Sequence, residues 1–138
     1  MKIIEMIIRM TGGLQKLEDH PLHVFKPPFL PLRIRHLGSG PRGLDHIAVS
    51  QMIPCGPETE KLESELTFEI GFLGDGTWGW YPVSFRQRNP AFFHECAWVE
   101  PEGHRVFHRE TEEGLNIIAN AWDEILVARG YMESGTVL

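Results

Sequence analysis

Seven histidines, two cysteines and a cluster of glutamates are the side chains of this 138-residue chain that could carry chemistry. His94 and Cys96 are two apart, so on a strand both point to one face and could bind zinc if two further ligands joined them. No second pair with suitable spacing follows. His104 and His108 are four apart, a chelating interval only on a helix. Gly103 before them and Val106-Phe107 between them favour a strand, where the two rings would stand about 13 Å apart by strand rise. No metal and no other cofactor is therefore expected. Cys55, between Pro54 and Gly56, becomes a nucleophile only beside a base that generates its thiolate, and the sequence names no such base. Cys96 suits a small buried hydrophobe.

Glu63, Glu65 and Glu69 fall on one face of an alternating stretch, with Thr67 between. Carboxylates so placed can do acid–base work or hold a hard cation, with His46 or His94 as the histidine partner. They also make the wet face of a half-buried sheet, the more ordinary role. Gly38-Ser39-Gly40-Pro41-Arg42-Gly43 has the glycines of a phosphate loop but lacks Gly-Lys-Ser/Thr and leads into a strand, so it reads as a hairpin connection. Arg33, Arg35, Arg42, Arg86 and Arg88, with Trp78, Trp80 and Tyr81, could form a platform for single-stranded nucleic acid. A formal charge of −6 argues against it.

The elements that must position these groups follow from periodicity. Leu66, Phe68, Ile70 and Phe72 alternate with Glu65, Thr67, Glu69 and Gly71, then Gly74-Asp75-Gly76 turns into an aromatic run from Trp78 to Phe85. That is a β-hairpin with one apolar face. Before it, Leu32 to His36 and Leu44 to Met52 read as strands; after it, Phe92 to Glu100 reads as another, and His104 to His108 as a short one. Ile3, Ile4, Ile7 and Ile8 give an N-terminal amphipathic helix ended by Gly12-Gly13. Leu14 to Asp19 reads as one more turn or as loop. Pro21 to Pro31, with four prolines, should be extended and cross the sheet surface. Leu115, Ile118, Ala119, Trp122, Ile125 and Leu126 form a helical stripe, with Thr111 as N-cap and Gly130 as stop. The expectation is a single α+β domain over 1–131, an antiparallel sheet of about five strands with N-terminal and C-terminal helices packed on it, and a tail over 132–138. The stripe of the last helix should cover Leu66, Phe68, Ile70 and Phe72.

Apolar residues are 42% and charged residues 23%, an ordinary globular balance. Two cysteines make no disulfide framework, Glu5 and Arg9 interrupt the apolar N-terminus, and no run approaches a membrane span. A cytoplasmic chain is expected.

Phe29-Leu30-Pro31-Leu32-Arg33-Ile34, Ile47-Ala48-Val49-Ser50, Glu63-Ser64-Glu65-Leu66-Thr67-Phe68-Glu69-Ile70 and Trp80-Tyr81-Pro82-Val83-Ser84-Phe85-Arg86-Gln87 together resemble an uncharacterised bacterial domain family common on plasmids and other mobile elements. The likeness covers about residues 1 to 131. It implies no established activity. Its members carry a His-Tyr-rich segment, an Asn-Gly-Asp turn and an Asp-Pro-Glu triplet; here Glu65 and Glu69 match, whereas Gln51 to Pro57 lacks the histidine and the turn. A site built on those residues in relatives would be altered here.

The expected function is a non-enzymatic binding or accessory module, with a protein partner or a second copy as its target. The alternative is a metal- or carboxylate-dependent enzyme using Glu65 and Glu69 with a histidine. A weaker alternative is single-stranded nucleic-acid binding.

Overall fold

Alternation places Ile34, Val49, Leu66 and Phe85 in one cross-strand row, and His36, Ile47 and Phe68 in the next. The computed structural model, which describes residues 1–131 and the backbone of 136–137, shows these rows as the inner face of an antiparallel sheet. The elements run α1 (Lys2–Met10), α2 (Gly13–Asp19), β1 (Leu22–Phe25), β2 (Leu32–Ser39), β3 (Asp45–Pro54), β4 (Glu60–Phe72), β5 (Trp78–Gln87), β6 (Phe92–Glu95), β7 (Ala97–Val99), β8 (Arg105–Phe107), α3 (Arg109–Ala128) and β9 (Thr136–Val137). The main sheet has the order β6-β5-β4-β3-β2-β1, and β9 adds its two residues beside β1. β7 and β8 form a separate ribbon. The fold is α+β, with the N-terminal and C-terminal helices on the sheet.

Ile3, Ile4, Ile7 and Ile8 of α1, Leu14 and Leu17 of α2, and Leu115, Ala119 and Leu126 of α3 join the sheet's inner face in one core. The helices are also tied to each other. Asp123 of α3 accepts the backbone N–H groups of Lys2 at 3.2 Å and Ile3 at 3.0 Å, so α3 caps the start of α1. Trp80 donates its indole N–H to Glu5 at 3.0 Å, which pins α1 over β5.

Several local expectations are corrected. The Pro21–Pro31 segment does not merely cross the sheet: Leu22–Phe25 pairs with β2 as a strand of it. Leu14–Asp19 belongs to a second helix, separated from α1 by Gly12 at φ 115°, a conformation that glycine adopts without a Cβ clash. The strand expected over Phe92–Glu100 splits at Cys96, and its second half leaves the sheet for the ribbon. His108, not Thr111, is the N-cap of α3; its Nδ1 accepts the Thr111 N–H at 3.3 Å. Phe72 is not under α3 but exposed, edge-on to Trp78. Of the tail, residues 132–135 and 138 lie outside the described residues, while Thr136–Val137 pairs with Val24–Phe25. No described helix is long and apolar enough to cross a membrane.

Candidate functional site: the polar face of the sheet

The face turned away from the helices is built from the residues that alternate with the core. Cross-strand register sorts them into three rows. The first runs His23, Arg33, Ser50, Glu65, Arg86 and Phe93; the second Arg35, Ala48, Thr67, Ser84 and Glu95; the third His46, Glu69 and Tyr81. Ala48, Ser50, Thr67 and Ser84 are small and buried. They form a low floor between longer side chains. Thr67 and Ser84 share a 2.6 Å hydroxyl hydrogen bond across it.

Glu69 is fully buried and its carboxylate is consumed within the fold. It accepts the Arg42 backbone N–H at 2.9 and 3.0 Å, the Leu44 N–H at 3.0 Å and the Arg42 guanidinium at 3.0 Å. These donors come from the β2–β3 connection, which closes over the end of the sheet. A Cβ on Gly40 would stand only 2.8 Å from Glu69 Oε2 and closer still to the carbons behind it, so the connection needs glycine there. Arg42 continues over the rings of Tyr81 and Phe107, at 5.5 and 5.3 Å, which couples the connection to the ribbon.

Glu65 is engaged differently. It accepts Ser50 Oγ at 2.6 Å and the Arg35 guanidinium at 3.2 Å. Arg33 stands in the same row as Glu65, two positions from Arg35, and makes no ion pair among the described residues. The Nε atoms of Arg33 and Arg35 are buried without hydrogen-bond partners. Burial, and then the neighbouring charge of Arg35, pulls the Arg33 guanidinium below its ordinary pKa.

His46 lies beside Glu69, its Nε2 buried and without a partner. Burial pulls the imidazole's pKa down against the attraction of Glu69 and Glu65. It borders a shallow recess of about 470 Å³ shared with Glu95 and Trp98. His94 is elsewhere. It pairs with Phe85, which puts it on the helix side of the sheet, stacked on Phe92 at 4.4 Å and facing the start of α3. Glu63 is the extra residue of a β-bulge between the Gln51–Ser64 and Met52–Leu62 pairs, out of register with Glu65. Of the five candidate residues, Glu65, Glu69 and His46 share a face; Glu63 is displaced along it and His94 is on the other. Cys96 is buried with its Sγ donating to the Pro82 carbonyl at 2.9 Å, and burial pushes its thiol up to about 11. Cys55 is exposed.

The arginines and tryptophans do not share one platform. Arg33, Arg35 and Arg86 are on the polar face, whereas Trp78 and Trp80 pair with Phe72 and Ile70 on the helix side.

One cluster has no sequence signal: Glu18, His36 and Asp45 come together from α2, β2 and β3 with their ligand atoms within 4.8 Å of one another. The hydrogen bonding assigns its chemistry. Gly38 donates its N–H to His36 Nδ1 at 3.2 Å, so a neutral ring carries its proton on Nε2, which points at Asp45 at 3.0 Å. A metal at Nε2 would need that proton moved to Nδ1, against the Gly38 N–H. The cluster is a clasp between helix and sheet.

These features define an α+β domain with a helical layer on one sheet face and an arginine-rich, partly desolvated polar floor on the other. The chain belongs to the family described as Domain of unknown function (DUF6908), whose model matches residues 2–132. No curated protein and no solved structure matches the chain.

Proposed function

We propose that the chain is a non-enzymatic binding or accessory module that works through the polar face of its sheet. The observation that carries this reading is the unequal fate of the charges there. Glu69, on both oxygens, and Glu65, through Oε2, the carboxylates that acid–base or metal chemistry would need, are engaged in internal hydrogen bonds, while Arg33 is left without a carboxylate partner among the described residues. Rows of small, buried side chains between arginines suit contact with a polar or anionic partner. Two free cysteines, one exposed, support a reducing, cytoplasmic setting. The resemblance carried by Phe29–Ile34, Ile47–Ser50, Glu63–Ile70 and Trp80–Gln87 supports an accessory role on bacterial mobile elements.

The test is a chemical-shift map of isotope-labelled protein against a set of small polar and anionic fragments. Perturbations centred on Arg35, Ser50, Glu65 and Arg86 are expected. Perturbations confined to α1 and α3, or none, would overturn the reading. A second reading is favoured by the partnerless Nε2 of His46 beside Glu69: an enzyme in which His46 is the base. It requires a turnover that His46→Gln abolishes while the fold survives.

A further inference from the structure

A cavity of about 760 Å³ opens at the end of the first polar row, between the segment after β1 and the β3–β4 connection. Its walls are prolines and phenylalanines, among them Pro28, Pro57, Phe25 and Phe29. Proline walls are rigid before a ligand arrives, which reduces the ordering cost of binding. Phe29 is held from behind, with Arg129 4.9 Å over its ring and Tyr131 tilted against it at 6.5 Å. Tyr131 in turn donates its hydroxyl to the Leu30 carbonyl.

Arg33 stands in the lining of this space, with Lys26 as a second cation beside the apolar walls. Glu65 would be its natural counter-ion, being in the same row, but that carboxylate is taken by Arg35 and Ser50. Glu58 and Glu60 also line the cavity, and neither closes to an ion pair with Arg33. His23, Arg33's neighbour across β1 and β2, adds a second nitrogen donor group on the same wall. A guanidinium in the lining of a cavity, without an ion pair and with its Nε unsatisfied, can take an acceptor with two oxygens. Lys26 and Arg33 balance Glu58 and Glu60 in the lining, so a second negative charge on the ligand gains no net attraction there, while the cost of desolvating an anion rises as the square of its charge. That selects a carboxylate over a phosphate monoester.

We propose that this cavity binds a small organic carboxylate with an apolar body, its two oxygens on the Arg33 fork and its body between the proline and phenylalanine walls. The proposal rests on the reading of the chain as a binding module and specifies one end of the polar face.

The probes are 4-phenylbutyrate, 4-phenylbutyramide and phenyl phosphate, each titrated into labelled protein and read at the Arg33 Nε–H and the amides of residues 22–33. Saturable shifts from 4-phenylbutyrate are expected, with the amide and the phosphate binding at least about tenfold more weakly, the loss of a charge-assisted hydrogen bond. Arg33→Gln should lose the binding to a similar degree, Arg33→Lys should recover only part of it because the fork is gone, and Arg88→Gln should leave it unchanged. Equal binding of amide and carboxylate, tighter binding of the phosphate, undiminished binding to a folded Arg33→Gln variant, or no saturable shift from 4-phenylbutyrate would each overturn the proposal. Fragment shifts at Ser50 and Arg86 with a silent cavity would overturn it while leaving the module reading in place.

Discussion

Removing the Glu69 carboxylate should be the most destabilising single change on the polar face. In Glu69→Ala, the N–H groups of Arg42 and Leu44 lose their acceptor, and the Arg42 guanidinium, whose side chain is only 16% exposed, loses its closer and buried carboxylate and keeps only Glu112 of α3 at 3.8 Å. Breaking a buried pair in this way costs about 3–5 kcal/mol. Against a total stability on the order of 10 kcal/mol, and a urea slope of about 2 kcal/mol per molar, the unfolding midpoint should fall by about 2 M. Glu69→Gln should cost about 1–3 kcal/mol, because one oxygen survives but the new amide group turns a donor toward donors. Gly40→Ala supplies the decisive partner. In the wild-type background its Cβ collides with the Glu69 side chain, an overpacking cost of about 1–3 kcal/mol. In the Glu69→Ala background the obstacle is gone and most of that cost should disappear. Urea unfolding of the four proteins, read by tryptophan fluorescence, gives the coupling directly. A Glu69→Ala loss under 1 kcal/mol, or a Gly40→Ala cost that is the same in both backgrounds, would refute the seating of the β2–β3 connection on Glu69.

Two further predictions test the charged and nucleophilic groups. The folded imidazole of His46 has a pKa below its ordinary 6.5, so its neutral form is the one that folding favours. The unfolded chain then takes up the proton first as pH falls, and stability is lost as pH drops from 7 through about 6.5 toward the folded pKa. His46→Gln should flatten the fall in melting temperature between pH 7 and pH 5; parallel curves for variant and wild type would contradict the assignment. Thiol labelling with a chromogenic disulfide at pH 8 should count one cysteine, Cys55, in the native protein and two after unfolding, because the Cys96 thiol is buried and pushed up to about 11. Fast labelling of both in the folded state would refute the burial.

What the sequence made legible was periodic and local. Leu66, Phe68 and Ile70 alternate without interruption, and the Leu115–Leu126 stripe repeats at helical spacing, so both were readable. β1 was not, because Leu22–Phe25 is four residues long and enclosed by prolines, and its strand state comes from pairing with Leu32–Ile34 rather than from its own composition. The split at Cys96 was hidden because alternation runs on from Phe92 to Val99 while the hydrogen bonding changes partner. Bulges at Glu63 and Val83 shift which residues share a face, and no local signal marks them. The polar face itself was legible as Glu65, Thr67 and Glu69. The assignment of each carboxylate was not, since the donors on Glu69 come from a connection 25 and 27 residues earlier in the chain.

The two kinds of connection in this molecule also differ in what they would tolerate as graft points. The tip of the ribbon, Pro101–Gly103, is exposed, and its one backbone hydrogen bond closes the turn on Glu100. A reporter domain or recognition peptide spliced in at Glu102 would extend into solvent and leave the sheet's architecture alone. The connection through Gly40 and Arg42 looks equally loop-like in sequence. It is instead seated on a buried carboxylate, and a splice there would break the contacts that Arg42 makes with Glu69 of the sheet, Phe107 of the ribbon and Glu112 of α3.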